Sequence, residues 1–340
     1  MFPIGHTDMV LSAQFSPDGK KIVTASADNT AKIWDAISGK LLASLEGHRF
    51  LVISAQFSPD GKKIVTASYD NFTRIWDAIS GKLLVSLEGH TSAVLSAQFS
   101  PDGKKIVTTS SDNTTKIWDA ISGRLLVSLE SDTSGVLSAR FSPDGKKIVT
   151  ASDVGSAKVY NVISGKLLAN LNGHTQAVLS VQFSPDGKKI VTASNDTTAK
   201  IWDAISGKLL ENLNGYTSGV NSARFSPDGK KIVTASNDTT AKIWDAISGK
   251  LLESLNGHTG GVISAQFSPD GKKIATASYD NTAKIWDALS GKLLASLDGH
   301  TSIVSSAQFS LDGKKIVTAS WDNTAKIWDA LSGKLLASLN

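Results

Sequence analysis

Apolar and polar positions alternate along this chain in short runs. Val10 to Phe15 is an apolar and small-residue run, followed by Ser-Pro-Asp-Gly, in which Pro17 presets φ, Asp18 bonds nearby backbone and Gly19 accepts a positive φ. Lys21-Ile22-Val23-Thr24-Ala25-Ser26 is rich in β-branched residues and predicts a second strand. Asp28-Asn29 marks another turn, Ala31 to Asp35 a third strand, Ser38-Gly39 a further turn, and Leu41 to Leu45 a fourth strand. No window carries a helical period over a useful length. Four short strands joined by tight turns make an antiparallel meander. Ile22 to Ala25 places apolar or small side chains on both faces, as a sheet covered on both sides requires.

The meander repeats. Phe15 opens the phrase Phe-Ser-Pro-Asp-Gly-Lys-Lys, and the Phe returns at Phe57, Phe99, Phe141, Phe183, Phe225, Phe267 and Phe309, a constant step of 42 residues. Eight units follow, 5–46, 47–88, 89–130, 131–172, 173–214, 215–256, 257–298 and 299–340. Such a period marks an array of one supersecondary unit that cannot bury its apolar surface alone. Sheets stacked face to face around an axis cover one another and leave only short edges. The expected fold is all-β, an eight-bladed β-propeller forming a single domain over 1–340, with one four-stranded antiparallel blade per repeat. Met1 to Ile4 occupy the place of a preceding outer strand, which Pro3 suits poorly. The last blade is therefore expected to meet the first mainly through side-chain packing.

Composition narrows the setting. Hydrophobic residues make up 41% of the chain, ample for a packed core, and without cysteine there is no disulfide framework or thiol metal site. The start shows no basic segment leading into an apolar stretch, and no apolar run approaches a membrane span, so a cytoplasmic setting is expected. The net charge is +4, but 32 of the 35 Lys and Arg sit in the columns of Lys20, Lys21, Lys32 and Lys40; only Arg49, Arg140 and Arg224 fall outside. Acids recur in the columns of Asp18, Asp28 and Asp35, which describes a solvated scaffold surface rather than a gathered basic patch.

Gly5-His6 at the start of a unit and Trp34-Asp35 near its end, with Ser26 and Asp28 between, resemble the WD-repeat family, and the resemblance covers essentially the whole chain. It implies a buried hydrogen-bonded network of His, Ser or Thr, Asp and Trp in each blade. The positions that match are His6, Ser26, Asp28 and Trp34 in blade 1, His48, Ser68, Asp70 and Trp76 in blade 2, and His90, Ser110, Asp112 and Trp118 in blade 3. They continue with His174, Ser194, Asp196 and Trp202 in blade 5, His258, Ser278, Asp280 and Trp286 in blade 7, and His300, Ser320, Asp322 and Trp328 in blade 8. Blade 6 has Tyr216 in place of His, and blade 4 has Asp132, Ser152, Val154 and Tyr160. A half-made network costs more than none, so blade 4 is expected to be the softest.

Chemistry finds little purchase. His, Ser and Asp recur with their Trp, whereas a catalytic site occurs once and is defined by geometry in a cleft. The six His are never closer than 42 residues and do not converge on a metal, and no phosphate-binding Gly-rich loop opens a helix. Neither a cofactor nor catalysis is expected. Paired lysines in the Lys20 and Lys21 columns could track phosphates on one face, but each pair follows its own Asp and no aromatic interleaves to stack on bases. Nucleic acid is therefore disfavoured.

The copies differ in two stretches. One is the residue before the network Asp, Ala27, Tyr69, Ser111, Asp153, Asn195, Asn237, Tyr279 and Trp321. The other is the entry to the first strand, around Met9, Leu51, Ala93, Gly135, Ala177, Gly219, Gly261 and Ile303. In the WD-repeat family these stretches surround the channel mouth on a face that commonly binds peptides or protein surfaces. Blades 7, 8, 1 and 2 carry Tyr279, Ile303, Trp321, Met9, Phe50, Leu51, Tyr69 and Phe72 there, with Arg49 beside them; blades 4 to 6 carry Asp132, Asp153, Gln176, Asn195, Asn221 and Asn237. Aromatic anchors supply much of the energy of protein contacts. The expectation is a monomeric, non-catalytic interaction scaffold docking a protein or peptide on that arc. The resemblance to bacterial arrays of near-identical blades implies a module of a larger signalling protein. The competing reading is a structural or engineered array with no dedicated ligand.

Overall fold

The computed structural model describes residues 5–130 and 135–340, so the readings placed on Met1 to Ile4 and on Asp132 lie outside it. The described chain forms eight four-stranded antiparallel sheets, each ordered as the chain runs. In blade 1 these strands are β1 (Val10–Phe15), β2 (Lys21–Ser26), β3 (Ala31–Asp35) and β4 (Leu41–Leu45), within the spans predicted from the apolar runs. The third blade alone extends its last two strands by one residue each, to Thr114–Asp119 and Leu125–Glu130.

Alternation along β2 explains how the ring holds together. Ile22 lies opposite Trp34 in the β2–β3 ladder, and both face the preceding blade, packing with Val10 and Phe15 against Val317, Ala319, Ala325, Ile327 and Leu339. Val23, Ala25, Ala31 and Ile33 face the other way and meet Val52, Phe57, Ile64 and Trp76 of blade 2. The core is thus a set of layers between blades, each filled by one large indole or phenol from one side and by alanines and branched aliphatic residues from the other. Full burial of such side chains contributes about 1.5–3 kcal/mol apiece.

The first turn is fastened by its own residues. Ser16 N–H donates to Lys21 O at 2.8 Å, and Ser16 Oγ donates to Asp18 Oδ1 at 2.6 Å. Gly19 holds φ at 69°, a value that favours glycine. The second turn needs the same left-handed backbone, supplied by Asn29, Asn71, Asn113, Asn281 and Asn323, but by Thr197 (φ 66°) and Thr239 (φ 71°) in blades 5 and 6. A β-branched residue is strained there. Thr197→Asn and Thr239→Asn should each stabilise the protein by about 1 kcal/mol, read as a higher urea midpoint at unchanged slope. A lower midpoint for either would show that the threonine makes a compensating contact.

Blade 8 closes on blade 1 with the same parts as the other junctions. Besides the shared apolar layer, Lys315 Nζ donates to Ala36 O at 2.8 Å, as Lys21 Nζ does to Ala78 O at 2.7 Å. Ser305 Oγ donates to Val10 O at 3.1 Å. Gly5 sits so close to Asn340 that an added Cβ would lie 2.5 Å from its carbonyl carbon. Closure therefore adds directed bonds to the side-chain packing expected from sequence. Among the described residues, the junction between blades 3 and 4 lacks this tie: no such bond joins Lys105 to Val162, and Thr109 and Thr115 stand where blade 1 has Ala25 and Ala31.

Candidate functional site

In blade 1 the imidazole of His6 lies between two partners. Its Nδ1 is 2.7 Å from Asp28 Oδ2 and its Nε2 is 2.7 Å from Thr24 Oγ1, while Trp34 Nε1–H donates to the same Thr24 hydroxyl at 2.8 Å. The carboxylate can only accept, so Nδ1 carries the proton and Nε2 accepts from threonine. Asp28 also accepts from Thr7 N–H at 3.1 Å and from Thr30 Oγ1 at 2.6 Å. The same chain runs through His48, Asp70, Thr66 and Trp76, and through His90, Asp112, Thr108 and Trp118. It recurs in His174, Asp196, Thr192 and Trp202, in His258, Asp280, Thr276 and Trp286, and in His300, Asp322, Thr318 and Trp328.

The hydroxyl between imidazole and indole is thus threonine, where the sequence reading placed serine. Ser26 lies two residues further along the same face of β2, beyond the indole, and does other work. Its Oγ donates to Asp8 O at 2.9 Å and accepts from Asp28 N–H at 3.1 Å. Ser68, Ser110, Ser194, Ser278 and Ser320 likewise donate to the loop carbonyls of Phe50, Ser92, Gln176, Gly260 and Ser302. The strand alternation that pairs Thr24 with Ser26 on one face was the available signal.

The two irregular blades solve the problem differently. In blade 6 the Tyr216 hydroxyl takes the imidazole's place, bonding Thr234 Oγ1 and accepting from Trp244 Nε1–H at 2.9 Å. Burial pushes the Tyr216 phenol up, so it stays neutral, and Lys242 Nζ lies 4.4 Å above its ring. In blade 4 Tyr160 is buried in the Trp column, Thr150 Oγ1 keeps only the long bond to Lys158 O at 3.4 Å that Thr24 also makes to Lys32 O at 3.5 Å, and Val154 points out, 55% exposed.

Burial lowers the pKa of His6, His48, His90, His174 and His258, outweighing the pull of the paired aspartates. Burial alone would raise Asp112 and Asp280, but bonds from threonine, histidine and backbone N–H hold each at about 2. Both kinds of group bind fewer protons folded than unfolded, so stability rises with pH in each window. The chain should be most stable above the unfolded histidine value. Its melting temperature should fall first as pH drops below about 6.5 and again below about 4. A flat melting temperature from pH 7 to pH 5 would show that the histidines protonate freely in place.

The two variable columns form one site per blade. Tyr69 N–H donates to Leu51 O at 3.1 Å, Tyr279 N–H to Gly261 O at 3.0 Å, Trp321 N–H to Ile303 O at 2.9 Å and Ala27 N–H to Met9 O at 2.9 Å. With the ring closed, blades 7, 8, 1 and 2 are consecutive. Phe50 is 62% exposed, Tyr279 47%, Tyr69 42% and Trp321 39%. Leu51, Met9 and Ile303 are partly buried and Arg49 is exposed. Phe72 is partly buried, with the Arg74 guanidinium 5.2 Å from its ring centre. Arg74 also bonds Asp70 at 2.8 Å.

On the opposite face the lysine ring is half spent. Lys21, Lys63, Lys189, Lys231, Lys273 and Lys315 each donate to a carbonyl of the next blade at 2.6–2.8 Å, and Lys147 does so at 3.4 Å. Of these two columns only that of Lys20 is exposed to solvent; the exposed Lys40 column stands on the adjoining turn, tied to it by Ala36 N–H donating to Lys20 O at 2.9 Å. The strand ends Gln14 to Pro17 and their equivalents line a central cavity of about 950 Å³. Sequence reasoning missed what breaks the symmetry there: Arg140 and Arg224 replace the Gln14-column glutamine, and Leu311 replaces the turn proline, 67% exposed. Their columns were visible, and only the location of the channel wall was not. Among the described residues no group of three or more His, Asp or Glu is placed to hold a metal, and no helix is long and apolar enough to cross a membrane.

Eight antiparallel four-stranded blades, most of them locked by a His–Thr–Trp chain, define a β-propeller of repeated blades. The WD domain, G-beta repeat model matches residues 2–35, 249–287 and 291–329, and the TolB beta propeller domain model matches 37–248. The chain belongs to the WD-repeat β-propellers. It is similar to an uncharacterized WD repeat-containing protein of Synechocystis, 49% identical over 43 residues, 12% of each chain. It is also similar to ribosome assembly protein 4 of Saccharomyces cerevisiae, 48% identical over 40 residues, 12% of this chain and 8% of the relative. These matches span one repeat, a small fraction of either relative. Over nearly its whole length the chain is similar to the crystal structure of the computationally designed Ika8 protein. The identity is 32% and the TM-score 0.87, covering 96% of this chain and 97% of that one.

Proposed function

We propose that the chain is a non-catalytic interaction scaffold that docks a protein or peptide surface on the arc formed by Trp321, Tyr279, Tyr69 and Phe50. The supporting observation is that ring closure sets these exposed aromatics on blades 7, 8 and 2 of one run of four consecutive blades, on loops whose backbones the serine column clamps. Rigid aromatics on fixed backbone bind with little loss of conformational freedom. Arg49 at the edge suits an acidic group on the partner. The histidine, threonine and aspartate chains are occupied in holding blades together, which supports a role without catalysis.

A second reading has an observation of its own, and the comparisons favour it more directly. The near-identical blades and the likeness to a designed protein along almost the whole chain support a structural or engineered repeat module with no dedicated ligand. Selection from a random peptide display library separates the two. The docking reading expects enriched peptides that bind the natural chain and lose binding when Trp321→Lys, Tyr279→Lys and Tyr69→Lys are combined, circular dichroism confirming both folds. Failure to enrich any peptide, or equal binding by the variant, supports the bare module.

A further inference from the structure

The first strand of each blade lines the channel, and six blades carry glutamine at the same point of its wall. Blades 4 and 6 carry Arg140 and Arg224 there instead. Among the described residues no Asp or Glu lines this cavity, and neither guanidinium has a hydrogen-bonding or ion-pair partner. Burial lowers Arg140 to about 10, with the charge of Arg224 adding to the effect, and burial lowers Arg224 as well. Two like charges thus line the same part-buried chamber, with one blade between them.

Such an arrangement costs stability unless an anion completes it. A desolvated cation without a counter-charge is expensive, and six other copies show that glutamine fits the position. Amides surround the pair. Gln182, in the blade between them, uses Oε1 to accept from Phe225 N–H at 2.9 Å, which leaves its amide NH₂ for another partner. Gln98, in the blade before Arg140, has its Oε1 buried with no hydrogen bond, and turning that amide over places a donor at the same point. The chamber, about 950 Å³, is large enough for a small organic ligand. Its walls reach the turns that carry Lys20 and its equivalents, whose exposed charges draw anions toward that mouth. The Asp18 column shares those turns but is tied to its own Ser16 and Lys20 N–H equivalents.

We propose that Arg140 and Arg224 together bind a small phosphate-bearing anion inside the channel, at a site separate from the aromatic arc. Planar guanidiniums match phosphate oxygens two at a time, and one phosphate group or diphosphate answers both charges at once. Every other blade offers only neutral amides at this level, so the site occurs once in the ring despite the repeat.

Inorganic pyrophosphate is the probe, titrated calorimetrically into the full chain at constant ionic strength. The expected result is one site per chain and a raised melting temperature. The test variant combines Arg140→Gln and Arg224→Gln, which restores the residue of the other six blades and so keeps the fold. It should weaken binding on the order of 100-fold or more, about 2.7 kcal/mol, through the loss of charge-assisted bonds. Equal binding by the variant would place the anion on the lysine turns and overturn the proposal. No heat and no thermal shift in the parent would overturn it too, showing that channel water alone solvates the pair. Succinate binding as tightly as pyrophosphate would reassign the site to dicarboxylates.

Discussion

Thr108→Val should destabilise the protein by about 2–5 kcal/mol, whereas Ser110→Ala should cost about 1 kcal/mol. The two side chains differ little in size and lie on the same strand, so only their partners separate them. Thr108 Oγ1 is 2.7 Å from His90 Nε2 and accepts from Trp118 Nε1–H at 2.8 Å. Valine fills the space but leaves a buried indole N–H without an acceptor and an imidazole nitrogen without a donor. Ser110, equally buried, instead donates to the carbonyl of Ser92 at 3.0 Å and accepts from Asp112 N–H at 3.0 Å, both main-chain groups of partly exposed loop residues that water can reach once the hydroxyl is gone. Urea denaturation of both variants checks the order. Equal losses, or a larger loss for Ser110→Ala, would show that the indole and imidazole do not depend on the threonine.

Removing blade 8, residues 299–340, should abolish the closed monomer. The truncated chain would expose Ile22, Trp34 and Phe15 on blade 1, and Ile285 and Leu297 on blade 7, all of which are buried against blade 8. Losing two layers exceeds the whole stability of an ordinary domain, since each large side chain contributes about 1.5–3 kcal/mol. The two uncovered faces are also complementary, because every junction uses the same pair of surfaces, so copies should associate head to tail. Sedimentation velocity would show heterogeneous oligomers or aggregates. A soluble seven-bladed monomer of parental stability would mean that the blade angle adapts freely and that the repeats do not specify eight.

Nearly all of the fold was legible from residues, because one meander solved eight times averages out local ambiguity. Pro17, Gly19 and the β-branched run from Lys21 to Ser26 place the strands within the spans observed. The buried network was legible in its ends, His6 and Trp34, and less so in its middle. Thr24 and Ser26 are both hydroxyls on the same face, and only the length of the indole and imidazole tells which one they reach. The channel was not legible at all. A side chain one residue from Phe15 points into the axis because eight strands curve around it, a property of the ring that no single repeat carries. Arg140 and Arg224 therefore read only as basic residues outside the four repeated columns until the axis is built. The exposed arc was legible as composition, but its continuity depended on blade 8 meeting blade 1.

The missing lysine tie between blades 3 and 4 has a kinetic meaning. A linear stack of repeats frays from its ends, where losing a repeat breaks one interface. In a closed ring every blade has two neighbours, and no blade can peel away until some interface has split completely. That first crack sets the lifetime of the native state, and it forms where the fewest directed bonds resist it. Among the described residues that place is the seam between Lys105 and Val162, mid-sequence and away from the latch joining Lys315 to Ala36. The ring should therefore open like a bracelet that breaks at a worn link while its clasp stays shut, leaving one arc with its two covalent ends still fastened together.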